Sequence, residues 1–293
     1  MAAGLEATLG PTGATVAAAM RCLYVDLDGT LLGPNASLLT GADGGFDSLG
    51  VRALEACARA GAEVVIFSGR RQGSVFEGAR LIGSSAYIFE LGCGLVLDGE
   101  LEWLTDGLVP SDEAGSIYDQ IEASGAPALL LERFAGQIEY HTPWSAGREV
   151  SHLFRGHVDL AEVAAILESA GLQWLRLVDN GVIQAASEQM PGLPVIHAYH
   201  LIPAGASKAR GVARHMQARG YAAEDCIAAG DSREDMEAAS VVGTFWLVAN
   251  ALERDVTLQR EVADRPGVRI ASESYGAGVY EAVVTTLAEQ GRR

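Results

Sequence analysis

The sequence predicts an α/β protein in which a doubly wound parallel sheet is interrupted by one α+β insertion. Three observations predict it. Short apolar runs alternate with helical patterns at both ends of the chain. Several of those runs stop at a small polar or acidic residue, where a parallel sheet carries its functional loops. Between about Gly92 and His200 the alternation gives way to hairpin signals.

In chain order, MAAGLEATLGPTGATVAAAM is rich in small residues, lacks a basic start and is broken by Gly10, Pro11 and Gly13. It reads as a disordered tail over 1–19, not as a signal peptide, with Met20 as a second plausible start. RCLYVDLDGT is a buried strand running into a polar loop, and Leu49 to Arg59 is a helix with Val51, Leu54 and Ala58 on one face. AEVVIFSGR, a helix through Phe76 to Leu81 and AYIFE complete a β-α-β-α-β series. GLVLDGELEWL then reads as a hairpin about Asp98-Gly99, followed by a helix near Asp112 to Ala123, strands ALLLERF and GQIEYH, and a helix from Asp159 to Ala170. LQWLRLVDNGVIQAA reads as a second hairpin, turning at Asn180-Gly181, and MPGLP as a boundary. The β-α rhythm resumes with a helix from Ser207 to Arg219, strand CIAAG, a helix from Arg233 to Val241, strand TFWLVAN and a closing helix near Gly276 to Glu289. The expected organisation is a Rossmann-like core over 20–91 and 201–293, split by an α+β cap over 92–200. A length of 293 residues suits about two domains at roughly 150 residues each.

Composition narrows the function classes. With 21 basic and 38 acidic residues the net charge is −17, which opposes attraction to nucleic acid or to anionic lipid. No apolar run is long enough to span a bilayer. Cys22, Cys57, Cys93 and Cys226 are scattered without a CxxC pair, so neither a disulfide framework nor a zinc site is expected, and a reducing cytoplasm is the simplest setting.

Four strand or loop ends carry groups that suit phosphate chemistry. Asp26 and Asp28 stand two apart, a spacing that turns both carboxylates to one side of an extended strand and suits a nucleophile beside a general acid/base. Gly29 lets the chain turn, and Thr30 can bond locally to hold Asp28; an Asp-Gly turn without chemistry has the same letters. Ser68, followed by Gly69 and Arg70, offers a hydroxyl for a phosphate oxygen or for a helix N-cap. Lys208 opens a helix, where a cation is unfavourable unless an anion meets it. Asp231 follows CIAAG directly, and Asp235 falls four residues later on the same helix face, giving oxygen donors for magnesium or an N-terminal cap. Each local alternative is respectable alone; coincidence at all four positions is not.

Together, DLDGT at Asp26 to Thr30, FSGR with Ser68, GASK with Lys208 and GDSREDM with Asp231 and Asp235 resemble the four ordered motifs of the haloacid dehalogenase-like superfamily of phosphohydrolases. The resemblance spans about residues 20 to 290. More than a hundred residues separate Ser68 from Lys208, so the cap lies between the second and third motifs, similar to the subgroup of sucrose-phosphate, trehalose-phosphate and mannosyl-3-phosphoglycerate phosphatases, Cof-type phosphatases and phosphomannomutase. The resemblance implies that Asp26 forms an aspartyl-phosphate and that Asp28 protonates the leaving alkoxide and then activates water. It implies phosphate binding by Ser68, Gly69 and Lys208, and magnesium held by Asp26, the Asp28 carbonyl, Asp231 and Asp235. Two positions depart from the pattern: Glu234 stands where many relatives have Asn, and Glu90-Leu91-Gly92 where many have Glu-Asn-Gly.

In the cap, GREVSHLFRGH gathers Arg148, His152, Arg155 and His157, which suit a second anionic or polyhydroxyl part of a substrate or an ordinary solvated surface. Arg176 and Gln184 are further candidates. His197 and His200 fall on opposite faces of a strand, against a shared metal, and Trp103, Trp144, Trp174 and Trp246 read as packing or interface residues rather than a sugar-stacking platform. The expected function is a magnesium-dependent phosphomonoesterase acting on a small phosphorylated metabolite such as a sugar phosphate. A phosphotransferase or mutase is the alternative enzyme, and a sugar-phosphate-binding regulatory protein the alternative of another class.

Overall fold

The computed structural model describes residues 20–183, 190, 192–193, 195–263 and 265–291. The expected tail over 1–19 and the candidate Gln184 lie outside the described residues. The first apolar run forms β1 (Cys22–Val25), followed by α1 (Leu49–Ala60), β2 (Glu63–Phe67), α2 (Gln72–Leu81) and β3 (Ala86–Phe89). Next come β4 (Gly94–Leu97), β5 (Glu100–Trp103), α3 (Ile117–Ala123), α4 (Ala126–Arg133), β6 (Ile138–Tyr140), β7 (His152–Gly156), α5 (Leu160–Ser169), β8 (Leu175–Ile183) and β9 (Ile196–Pro203). The last third holds α6 (Lys208–Arg219), β10 (Cys226–Gly230), α7 (Arg233–Met236), β11 (Thr244–Leu247), α8 (Asn250–Arg254), α9 (Leu258–Ala263), β12 (Val268–Ile270) and α10 (Tyr275–Gln290).

The main sheet runs β12-β11-β10-β1-β2-β3-β4-β5, parallel from β12 to β3 and antiparallel over the last two pairings. Every residue of β1 is buried, because alternate side chains serve opposite faces. Leu23 and Val25 pack with Ala53 and Cys57 of α1 and Val279 and Val283 of α10. Cys22 and Tyr24 pack with Val212 and Met216 of α6. A smaller antiparallel sheet, β6-β7-β9-β8, covers its own core with α3, α4 and α5. Leu91 and Cys93 enter that third core from the loop after β3, so the two layers join there.

Four readings change. The hairpin β4–β5 extends the main sheet instead of opening the insertion, because β4 pairs antiparallel with the free edge of β3; the small sheet accordingly takes in β9 to Pro203. ALLLERF is helical: Pro127 sits in the first turn of α4, and Ala126, Leu130 and Phe134 form a buried stripe at helical spacing. Asn180-Gly181 makes no hairpin, since β8 pairs with β9 on both sides of it and the register slips between Asp179 and Val182; the Asn-Gly signal marks a β-bulge. In α1 the buried face is Gly50, Ala53 and Cys57, one residue off the expected stripe, with Val51 left exposed. The turn at Asp98-Gly99 has positive φ at both residues, as a two-residue hairpin of that sequence requires. All four cysteines are buried and free. Among the described residues no helix is long and apolar enough to cross a membrane.

Candidate active site

The site forms where the sheet order reverses. β1 lies between β10 and β2, with Val25 in register with both Ala229 and Ile66, so the three parallel strands end level and deliver Asp26, Ser68 and Asp231 side by side. The strand stops at Val25, and the chain then turns back on itself, with Leu31 N–H donating to the Asp26 carbonyl and Leu32 N–H to that of Leu27. The i, i+2 argument for Asp26 and Asp28 therefore does not apply. The turn leaves Asp26 buried and Asp28 exposed. Gly29 has φ +85°, and a Cβ there would lie 2.2 Å from Asp231 Oδ2, so this position excludes any side chain. Thr30 does not hold Asp28: its buried hydroxyl has no hydrogen-bond partner among the described residues.

Lys208 is the hub. Its ammonium donates to Asp26 Oδ1 at 2.8 Å and Asp235 Oδ1 at 2.5 Å, 99% shielded from solvent and 5.0 Å from the centre of the Phe67 ring. Burial alone would discharge it, but the Asp235 and Asp26 carboxylates hold its pKa well above the ordinary lysine value. The anion that a lysine at a helix start calls for is thus supplied by the protein itself. Removing the ammonium would strand two buried carboxylates, a change worth ~3–5 kcal/mol.

Asp235 also differs from expectation. Asp231 precedes the short helix α7 and shares no helix face with Asp235. Asp235 Oδ2 instead accepts from the N–H groups of Asp231 and Ser232 and from the Ser232 hydroxyl, closing a capping box. With Oδ1 on Lys208, both its oxygens have protein partners. Ser68 is buried, and its Oγ accepts from Arg70 N–H at 3.2 Å; the N-cap of α2 is Arg71.

Burial pushes the Asp26 carboxyl well above the usual carboxylate range, with Lys208 opposing and Asp235 and Asp231 adding to the rise. Burial likewise takes Asp231 up to about 6, against the pull of Arg254. Asp26, Asp231 and Asp235 each offer an oxygen within 4.8 Å of the others. Three buried carboxylates against Lys208 and the Arg254 guanidinium leave one surplus negative charge on hard oxygen donors, the chemistry that suits a magnesium ion.

Several participants went unread in the sequence. Arg70 grips Asp28 with two hydrogen bonds of 2.6 and 2.5 Å, and Arg254 donates to Asp231 Oδ2 at 2.6 Å. Asn250 donates to the Gly29 carbonyl and accepts from Tyr275 N–H, bracing the turn. Glu90, fully buried, accepts from the N–H groups of Glu149, Val150 and Ser151. Burial opposes its charge, but Arg148 and these donors hold its carboxyl below the ordinary value. Gly92, φ +86°, lies so close to the GASK loop that a Cβ would sit 1.9 Å from the Ser207 carbonyl oxygen. No spacing signal marks Arg254 or Asn250, which arrive from a helix remote in sequence.

The basic cap candidates do not converge. Arg148 is buried and donates to Ser151 Oγ, the Trp144 carbonyl and the Gly69 carbonyl. His152 is buried against the Tyr118 ring, 3.7 Å between centres, and Arg155 pairs with Glu139 at 2.6 Å. These three are taken up by protein partners, so they are not free for a substrate. Arg176 also reaches the site's edge, donating to the Ala206 carbonyl at 2.7 Å and standing 3.5 Å from Glu234. Glu234, the departure from the family pattern, accepts from Lys208 N–H, and burial with Glu237 nearby takes its carboxyl up to about 7. His197 pairs with Asp179 at 2.8 Å while His200 is buried beside Ser151, so the two do not meet. Of the tryptophans, Trp246 is buried and Trp103 packs on Phe89, but Trp144 is exposed.

What faces the catalytic end from the small sheet is the β8 bulge. Asp179, Gly181 and Val182 line a narrow cleft with Asp231, Ser232 and Arg254. A Cβ built on Gly69 would lie 2.9 Å from Asn180 Nδ2 and 3.3 Å from His200 Nε2. Both side chains thus border the loop that follows Ser68. Burial, with Arg148 and Lys208 nearby, drives the His200 pKa well below the ordinary histidine value, so its ring is neutral.

No family model matches the chain. It is 25% identical over 265 residues to a phosphoglycolate phosphatase of Methanoculleus marisnigri, covering 90% of this chain and 95% of that protein. The structure of the sucrose-phosphatase of Synechocystis sp. PCC6803 superposes with a TM-score of 0.63 at 13% identity, covering 92% of this chain and 98% of that one. A phosphatase of the haloalkanoate enzyme superfamily from Bacteroides thetaiotaomicron superposes with a TM-score of 0.59 at 17% identity, covering 96% and 99%. The fold is that of the haloacid dehalogenase-like phosphatases.

Proposed function

We propose that this chain, a phosphatase by its fold and its similarity to curated phosphatases, hydrolyses the monoester of a small phosphorylated metabolite, a sugar phosphate or a compound of similar size, through a covalent intermediate on Asp26. The observation that carries the reading is the Lys208 ammonium seated between Asp26 Oδ1, just past the end of β1, and Asp235 Oδ1 in α7. That bond occupies one oxygen of Asp26 and leaves Oδ2 to attack phosphorus in line with the leaving group.

In the first step the Asp26 oxygen bonds to phosphorus, the ester P–O bond breaks, and Asp28 gives its proton to the departing alkoxide. Asp28, the exposed carboxyl of the pair, accepts from Arg70 through both oxygens here and leaves that fork to carry the proton. In the second, Asp28 takes a proton from water, whose oxygen attacks phosphorus; inorganic phosphate leaves and Asp26 is restored. Ser68, the backbone at Gly69 and Lys208 hold the phosphoryl oxygens. Asp26, the Asp28 carbonyl and Asp231 are the residues that would hold magnesium, with Asp235 fixing the loop and acting at most through water. Magnesium, when bound, supplies the positive charge that keeps Asp26 ionised despite burial and neutralises the phosphoryl group. The small sheet with α3, α4 and α5 serves as the cap, presenting Asn180 and His200 to the non-phosphate part of the substrate. Four buried free thiols favour a reducing cytoplasm as the working compartment.

The test is magnesium-dependent phosphate release across sugar phosphates and phosphoglycolate. Asp26→Asn is expected to abolish release, and release unchanged by that substitution would overturn the mechanism. Phosphoryl transfer to a sugar without free phosphate would identify a transferase instead, and tight binding without turnover a regulatory protein.

A further inference from the structure

At the opposite end of the strands from the catalytic site, one row of residues crosses three adjacent strands: Glu63 of β2, Cys22 of β1 and Cys226 of β10, paired in register. Cys22 is four residues from Asp26, about 13 Å along a strand. Register partners face the same side of a sheet, here the side covered by α6, which lays His215 over the row. We propose that Cys22, Glu63 and His215 bind a transition-metal ion of the zinc class.

Three independent features carry this. A sulfur of Cys22, an oxygen of Glu63 and a ring nitrogen of His215 all lie within 4.8 Å of one another. His215 Nε2 is fully buried with no hydrogen-bond partner among the described residues and stands 3.6 Å from Glu63 Oε1. Nitrogen and oxygen ligands on tetrahedral zinc, with bonds of about 2.0–2.1 Å, are about 3.4 Å apart, so the pair is already at ligand spacing. Finally, the outer contacts are those that orient metal ligands. His215 Nδ1 shares a 2.7 Å hydrogen bond with the Tyr24 hydroxyl, whose pKa burial drives far above the ordinary value, so it stays a neutral hydroxyl. In the tautomer whose Nδ1–H donates to Tyr24, Nε2 meets the Glu63 oxygen as acceptor to acceptor, and a cation between them satisfies both. Glu63 Oε2 accepts from Tyr221, and Oε1 from Arg219, which is itself neutralised by Asp98.

Thiolate, imidazole and carboxylate together select zinc or cobalt over magnesium, which takes oxygen. Binding exchanges the Cys22 proton for the metal and releases it to solvent. The ion would pin α6 to β1 and β2; His215 is two helical turns from Lys208, so the same helix carries the phosphate-binding lysine.

The experiment is cobalt(II) titration of the chelator-stripped full-length protein, read by the thiolate-to-cobalt charge-transfer absorption. The catalytic carboxylates hold no sulfur and give no such band. One equivalent per chain is expected to develop it, zinc to bleach it, and Asp231→Asn to leave it intact. Cys22→Ser and His215→Gln are each expected to lose it, while His215→Gln retains phosphate release in magnesium. Should those variants fail to fold, alkylation of the wild-type protein decides: zinc is expected to slow labelling of Cys22 and not of Cys57. Absence of the band in the wild-type protein, or labelling of Cys22 indifferent to zinc, would overturn the site and leave His215 and Glu63 as a polar pair without a metal.

Discussion

Asp26 and Asp28 are two residues apart yet chemically unlike, because the chain turns between them. One carboxyl is buried on Lys208 and the other is exposed on Arg70. Asp28→Asn keeps the volume but removes the transferable proton, so kcat should fall by about 10²–10⁴-fold, the usual worth of general acid–base catalysis. Single-turnover phosphate release measures it, and an undiminished rate would remove Asp28 from the chemistry. Asn180 borders the loop after Ser68, its Nδ2 2.9 Å from where a Cβ on Gly69 would stand. Loss of one neutral hydrogen bond is worth about 0.5–1.5 kcal/mol. Asn180→Ala is accordingly expected to raise KM by roughly 2–10-fold with kcat little changed; steady-state kinetics on the preferred substrate decides, and an unchanged KM would place the side chain outside the substrate's reach. At this scale the motif residues that the structure brings together, Asp26, Lys208, Asp231 and Asp235, were legible from their order, whereas Arg70, Arg254 and Asn250 were not, since a guanidinium or amide reaching across a fold leaves no spacing in the chain.

Among elements, local signals held where one element settles its own shape and failed where a neighbour decides. The Asp98-Gly99 hairpin needs only its own two residues with positive φ. The Asn180-Gly181 signal was overridden because β9 offers a pairing edge along the whole of β8, and a bulge costs less than a broken ladder. The junction of the two sheets turns on Glu90 and the backbone of 149–151, with Glu149 close by. Burial and the neighbouring Glu90 take the Glu149 carboxyl from 4.5 up to about 7. A carboxyl raised on folding contributes its stability in full below the unfolded value, and that contribution is lost as pH rises through about 7. Glu149→Gln should therefore flatten the decline in stability between pH 4.5 and 7 relative to wild type, as urea midpoints across that window will show. Parallel pH profiles for the two proteins would mean that Glu149 is not coupled to folding.

For the molecule as a whole, the net charge of −17 acquires a local meaning. Part of it is concentrated at strand ends, where Asp26, Asp231 and Asp235 crowd together out of water. A divalent cation that binds only the folded state adds about 2.7 kcal/mol of stability at a hundredfold excess over its Kd. Magnesium should raise the melting temperature of the wild-type protein and not that of Asp231→Asn, and chelation should end phosphate release while the far-ultraviolet circular dichroism stays native. A melting temperature indifferent to magnesium in the wild type would count against the assigned ligands.

The sequence by itself determined the α/β class, the interrupted core and the order Asp26, Ser68, Lys208, Asp231, because strand periodicity and the residues that end strands are local properties of the chain. Only the tertiary structure decided that β4 and β5 belong to the main sheet, that Arg148, His152 and Arg155 are taken up by protein partners, and that Cys22, Glu63 and His215 meet. Each of those outcomes depends on which edge or face is free when the elements pack, and that competition has no counterpart in the linear order of residues.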